Sequence, residues 1–250
     1  MDLEELKIDQ VINNNFIEDY TKHIEAIWWQ IVELDTDIYI LNKLSKLPFE
    51  TFHLTFPSSP FWGQIYKTLF DMSLLIIWRI SFDPNKKSLT LNKINQLIQK
   101  NSVSDDIIEK LKTLELSPWI VDTKIKVEKL RHKLIGHSDI IINTYKPQEF
   151  FNMYRVRLND LEKCRDDIVR YFDILCFDHN YSTRTREYLD FVDSDRETDI
   201  DKIFNLMVKD SPIFKMQDEH PEFWEKYYKK KIDKKDLEII DYYRAKLKNV

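Results

Sequence analysis

At 250 residues, 43% of them apolar and 13% aromatic, the chain can bury one large domain or one domain with a smaller extension, and it is too aromatic for a disordered segment. Its two glycines, Gly63 and Gly136, argue against barrels, sandwiches and dinucleotide-binding folds, which need many tight turns at positive φ, and neither G-x-G-x-x-G nor a Walker loop occurs. The formal charge of −5 supplies no whole-protein basic field, so any nucleic-acid contact must come from a local patch.

Residues Ile8 to Leu47 carry helical periodicity. Ile17, Ile24, Trp28, Ile31, Leu34, Ile38 and Leu41 recur every three or four positions, on one stripe. Pro48 ends this stretch, and Pro57 and Pro60 mark a loop. The next helix is predicted from Phe61 to Phe82. It is apolar around much of its circumference through Leu74, Leu75, Ile76, Ile77, Trp78 and Ile80, which predicts a central helix packed on several sides. Asp83-Pro84-Asn85 stops it, because the residue before proline is biased away from α geometry. Two short helices follow, near Thr90–Lys100 and Ser104–Leu114.

Ser117-Pro118 is a helix start signal, and the helix is predicted from Trp119 through about Ile135, with Gly136 as its end or an irregularity. Another long helix is predicted from Pro147 to Phe177. Residues His179 to Asp199 are polar and read as a linker. Short helices are expected at Ile200–Lys209, Glu222–Lys231 and Lys235–Lys248. The expected organisation is therefore all-α, with a helical bundle over residues 1–178 and a linker with a small helical extension over 179–250.

Cys164 and Cys176 are too few and too far from paired-ligand spacing for a zinc site, and a reduced cytosolic pair is expected. The acidic Met1-Asp2-Leu3-Glu4-Glu5 is unlike a signal peptide, and the apolar run Leu74–Ile80 is too short to span a bilayer and contains Arg79. A cytoplasmic protein without a membrane partner, metal or cofactor is the expectation.

The segment richest in chemistry is Leu130-Arg131-His132-Lys133-Leu134-Ile135-Gly136-His137-Ser138-Asp139. On an ideal helix, six residues turn through about 600°, which leaves Arg131 and His137 about 120° apart. They converge only if the helix loosens near Gly136 or a second copy supplies the other half. Such a pair suffices for RNA cleavage. The 2′-hydroxyl is a built-in nucleophile, a histidine moves the proton, and an arginine stabilises the extra phosphate charge of the transition state. Read bare, an arginine and a histidine six apart also describe a solvated helix end, with His132 orienting Arg131 or facing water. His23, His53, His179 and His220 have no partner at ligand spacing, and Trp28, Trp29, Trp62 and Trp78 read as core.

Lys129-Leu130-Arg131-His132-Lys133-Leu134-Ile135-Gly136-His137 resembles the signature of the HEPN superfamily in its abortive-infection, AbiU-like branch: an arginine, a polar follower, and a histidine after four to six intervening positions. Here five intervene, and His132 is the follower. The phrase Ile77-Trp78-Arg79-Ile80-Ser81-Phe82-Asp83-Pro84, followed by Ser88-Leu89-Thr90-Leu91, is similar to the helix end preceding the motif helix in this branch. The resemblance covers roughly residues 15 to 178. It implies a helical bundle that homodimerises with its arginine–histidine elements facing each other, and metal-independent RNA cleavage leaving a cyclic phosphate, in toxin–antitoxin or antiphage settings. Arg131 and His137 take the catalytic roles and His132 a supporting one. Arg79 and Asp83 match the upstream phrase, and their spacing of four allows an intrahelical pair that reads as structural support. Gly136 stands where the family often has alanine. Asp139 stands where branches paired with a nucleotidyltransferase antitoxin carry tyrosine, so the implied antitoxin or defence partner is of another kind.

Lys133 is a further candidate for RNA contact, as are Lys229 and Lys230, which cluster with Lys226, Lys231, Lys234 and Lys235 beside Trp224, Tyr227 and Tyr228. The plainer reading of that cluster is an amphipathic helix whose aromatics dock on the main domain, its charge diluted by Glu225, Asp233, Asp236 and Glu238. Two rivals stand beside the nuclease: a non-catalytic HEPN-like dimerisation or RNA-binding module, and a structural helical adaptor.

Overall fold

A computed structural model describes residues 6–54, 60–130, 154–177 and 199–248. Among them every named element is helical, and the only β pairing is an isolated bridge from Ile12 to Ser102. The fold is all-α. The chain divides into two compact units, one from Met1–Tyr39 and Leu69–Ser194, the other from Ile40–Thr68 and Asp195–Val250.

In the first unit, the stretch expected as one helix from Ile8 is broken. Helix α1 (Ile8–Val11) stops at Ile12, a 3-10 turn covers Asn14–Phe16, and α2 runs over Ile17–Lys46. The run Asn13-Asn14-Asn15 explains the break, since asparagine side chains offer the backbone local alternatives to the helix. Asn13 accepts from the Asn15 amide at 3.2 Å. The freed backbone pairs elsewhere: Asn13 N–H donates to Asn101 O at 2.9 Å, and Val103 N–H to Val11 O at 3.0 Å. Along α2, Ile24, Ile27, Ile31, Leu34 and Ile38 are buried in the alternating three–four pattern of one helical stripe, whereas Trp29, expected in the core, lies off that stripe and is exposed.

Helix α3 (Pro60–Ser81) buries Leu74, Ile76, Ile77, Trp78 and Ile80, which lie on several faces, as its apolar circumference predicts. Helix α4 (Leu91–Asn101) starts at Thr90, whose hydroxyl accepts from the Lys93 amide at 3.2 Å, and α5 (Asp105–Lys112) follows. Helix α6 (Pro118–Leu130) opens at the Ser-Pro signal. Helix α7 occupies Leu158–Leu175, and residues 155–157 are not helical, so the helix expected from Pro147 does not run unbroken. The reason is local: Arg157 is extended, and its amide donates to the Asp160 carboxylate at 2.9 Å, which starts α7 afresh.

The second unit holds the end of α2, the start of α3 and the C-terminal helices. Helix α8 is Asp199–Lys209, α9 is Pro212–Glu219, and α10 is Lys234–Lys248. Between α9 and α10 a helical turn at Pro221–Phe223 widens into a π turn at Trp224–Tyr228 and tightens into a 3-10 turn at Lys229–Lys231. Phe49, Phe52, Phe204, Val208, Ile213, Phe214, Trp224 and Ile240 form its core. The rings meet edge to face, Phe49 on Phe204 at 4.9 Å and Phe52 on Phe214 at 5.6 Å, the geometry their quadrupoles favour. His53 takes φ 55°, a left-handed conformation uncommon outside glycine, and its Nε2 lies 2.7 Å from the Tyr228 hydroxyl.

Candidate active site

Helix α6 carries the chain to the arginine–histidine element. Its buried residues Ile120, Thr123, Val127 and Leu130 recur at three and four and pack against α7, whose own stripe is Leu161, Cys164, Ile168, Phe172 and Leu175. At the start of α6 the Ser117 amide donates to Asp167 at 3.0 Å, and Asp167 also receives Arg170 at 2.8 Å. The α6 face turned away from this seam leaves Val121 and Ile125 exposed. Arg131, His132, Lys133 and His137 lie outside the described residues.

Arg79 and Asp83 are both described, and each has partners other than the fourth neighbour. Arg79 Nε donates to Gln30 Oε1 at 2.5 Å, and its Nη2 lies 3.8 Å from Glu33, so it ties the end of α3 to α2. Asp83 folds the turn that follows. Its Oδ1 accepts from the Asn85 amide at 3.0 Å and its Oδ2 from the Ser88 hydroxyl at 2.5 Å. Lys93 Nζ donates to Ser88 O at 2.6 Å and to Asn85 O, which closes the same turn. The upstream phrase thus sets the exit from α3 and the entry to α4.

Several polar side chains hold this unit together at sequence separations that spacing does not reveal. Asp35 on α2 and Arg165 on α7 form a largely buried ion pair. Burial pushes the Asp35 carboxyl up, against the opposing pull of Arg165. Asn95 on α4 donates to Leu111 O and to the Tyr171 hydroxyl, each at 3.0 Å, and Tyr171 lies 3.1 Å from Asn92 Oδ1. Tyr20 donates to Leu175 O at 2.8 Å and accepts from the Phe177 amide at 3.1 Å, which ties α2 to the end of α7.

Cys164 and Cys176 are free and buried. Burial pushes the Cys164 thiol up to about 12, which leaves it protonated and unreactive. Among the described residues, no group of three His, Cys, Asp or Glu side chains is placed to hold a metal ion, and no helix is long and apolar enough to cross a membrane.

In the second unit, the candidate RNA contacts Lys229 and Lys230 fall in the 3-10 turn. Lys229 Nζ pairs with both Glu225 oxygens at 3.0 and 3.2 Å, whereas Lys230 is exposed.

Comparison with curated proteins and with solved structures finds no match. The family HEPN_AbiU2, described as AbiU2, matches residues 17–198, more than half of the chain and the whole of the segment from α2 through the arginine–histidine element and α7. The chain therefore belongs to the HEPN-type AbiU2 family.

Proposed function

We propose that this chain is an endoribonuclease of the abortive-infection or toxin type, which works in the cytoplasm as a homodimer and needs no metal. The observation that carries the reading is the family match over residues 17–198, which includes the Arg131–His137 element. In the reaction, the RNA 2′-hydroxyl attacks the adjacent phosphorus, the O2′–P bond forms and the P–O5′ bond breaks. The 2′-hydroxyl loses its proton and the departing 5′-oxygen gains one, so the products are a 2′,3′-cyclic phosphate and a 5′-hydroxyl. His137 moves the proton, and Arg131 holds the phosphate as its charge grows. His132 orients Arg131. Arg79 and Asp83 serve as structural support for the helix exit upstream of α4. A composite site, with one element from each of two copies, brings the two side chains to one phosphodiester despite their angular separation on a straight helix.

The test is cleavage of a mixed RNA pool in the presence of a chelator by wild type, Arg131→Ala and His137→Ala. Wild-type protein is expected to cut, with 5′-hydroxyl ends on the products. His137→Ala is expected to lower the rate by roughly 10²–10⁴, the range of one general acid–base. Cleavage that persists at full rate in both variants overturns the assignment. Tight RNA binding without turnover points to the non-catalytic rival.

A further inference from the structure

The π turn sorts the aromatics around it into two pairs at spacing four. Trp224 is buried, and its ring stacks on Tyr228 at 5.6 Å and 29°, part of the packing of the second unit. Phe223 and Tyr227 also lie 5.6 Å apart, tilted by 36°, yet they are 51% and 52% exposed. Core packing accounts for the first pair and gives no reason for the second. Lys226 Nζ sits 5.4 Å above the Tyr227 ring. Lys230, three residues after Tyr227 in the 3-10 turn that follows, is exposed. Lys229 is neutralised by Glu225, and Lys234 lies 3.8 Å from Glu238. Lys226, Lys230, Lys231 and Lys235 have no carboxylate partner among the described residues.

A single exposed apolar residue is ordinary. Two neighbouring half-exposed rings with Lys226 and Lys230 beside them, against the exposed carboxylate of Glu222 next to Phe223, favour an occupant that is anionic and presents flat apolar faces. Unpaired bases on a phosphate chain meet both demands, because every base has a π face and each phosphate carries charge. A lipid surface would match the charge, but inserts aliphatic chains and does not call for paired rings at this spacing.

We propose that Phe223, Tyr227, Lys226 and Lys230 form a docking face for single-stranded RNA, with bases stacked on the two rings and phosphates held by the two lysines. The face lies beyond residues 17–198, the span matched by the family. The stacking geometry stands on its own; the choice of RNA over DNA rests on the nuclease reading above.

The experiment measures binding of a fluorescent single-stranded 2′-O-methyl oligoribonucleotide to the full chain. This ligand lacks the free 2′-hydroxyl and cannot be cut, so binding is read apart from turnover. Tyr227→Phe is expected to keep the affinity, whereas Phe223→Leu with Tyr227→Leu lowers it about tenfold or more, in keeping with the stacking of one to two bases. Lys226→Gln with Lys230→Gln is expected to reduce the slope of log affinity against log salt by about 1.4, because each phosphate of a single strand that a lysine neutralises adds about 0.7 to that slope. A merely structural role would leave the slope unchanged. Absence of oligonucleotide binding by wild type overturns the proposal, as does binding that is indifferent to both double variants. Capture by phosphatidylserine vesicles in place of the oligonucleotide, abolished in the same variants, also overturns it. Wild-type cleavage of RNA with no effect of these variants on binding removes this face and leaves the nuclease intact; binding without any cleavage supports the face and removes only the nuclease.

Discussion

Replacing Asp37 by asparagine is expected to stabilise the protein at neutral pH. Asp37 lies on α2, is 9% exposed, and has no hydrogen-bond partner among the described residues. Burial, with Glu33 one turn earlier adding like charge, pushes its carboxyl from 3.8 up to about 6. The folded chain therefore holds this proton more tightly than the unfolded chain does. The stability contributed by the neutral form is complete below about pH 3.8 and is lost as pH rises to about 6; above that, the buried carboxylate is a constant penalty. A shift of about two units at about 1.4 kcal/mol each sets that penalty near 3 kcal/mol, and partial relaxation brings the expected gain to about 1–3 kcal/mol. Asparagine has the shape of the protonated carboxyl and cannot ionise. Urea denaturation followed by circular dichroism at pH 7.5 and at pH 3.5 checks this. The variant is expected to exceed wild type at the higher pH and to match it at the lower. No gain at pH 7.5, or an equal gain at both, refutes the reasoning.

Other outcomes follow from the same packing. Arg165→Ala leaves the buried Asp35 carboxylate without its ion-pair partner and is expected to cost about 3 kcal/mol in denaturant; adding Asp35→Asn is expected to restore most of that loss. Ser211→Ala removes the hydroxyl that accepts from the Phe214 amide at 3.3 Å, with an expected cost of about 1 kcal/mol and a matching fall in the urea midpoint. Iodoacetamide at pH 8 is expected to label neither cysteine in the folded protein and both in urea, as mass spectrometry would show, because both thiols are buried and burial holds Cys164 protonated.

The parts of this fold that are legible in the residues are those with local causes. The three–four spacing from Ile24 to Leu41 marks the buried stripe of α2, and the apolar girth of Leu74–Ile80 marks a helix buried on several faces. Thr90 and Ser117-Pro118 mark helix starts that the structure bears out. Helix α9 carries the same Ser-Pro signal at Ser211-Pro212 but escapes a reading by pattern; its eight residues are too few for periodicity to stand out. The Ile12–Ser102 bridge and the Asp35–Arg165 and Asn95–Tyr171 contacts join residues 90, 130 and 76 positions apart. Nothing in local spacing encodes such partners. Spacing alone allows Arg79 and Asp83 to pair, whereas Gln30 and Glu33 from α2 engage Arg79 and the Asn85–Ser88 turn engages Asp83. The arginine–histidine element itself is legible as a motif, through the kinds of residue that transfer a proton and hold a phosphate.

The discontinuity of the second unit bears on how the protein is made. Thr51 donates to Asp236 at 2.6 Å across 185 residues of chain, and Phe49 and Phe52 share a core with Phe204, Phe214 and Trp224. At about 5–20 residues per second, the ribosome takes roughly 10–40 s to deliver that far side. Throughout that interval Phe49 and Phe52 are made but lack the residues that complete their core, so this half-core stays exposed until Phe204, Phe214 and Trp224 follow.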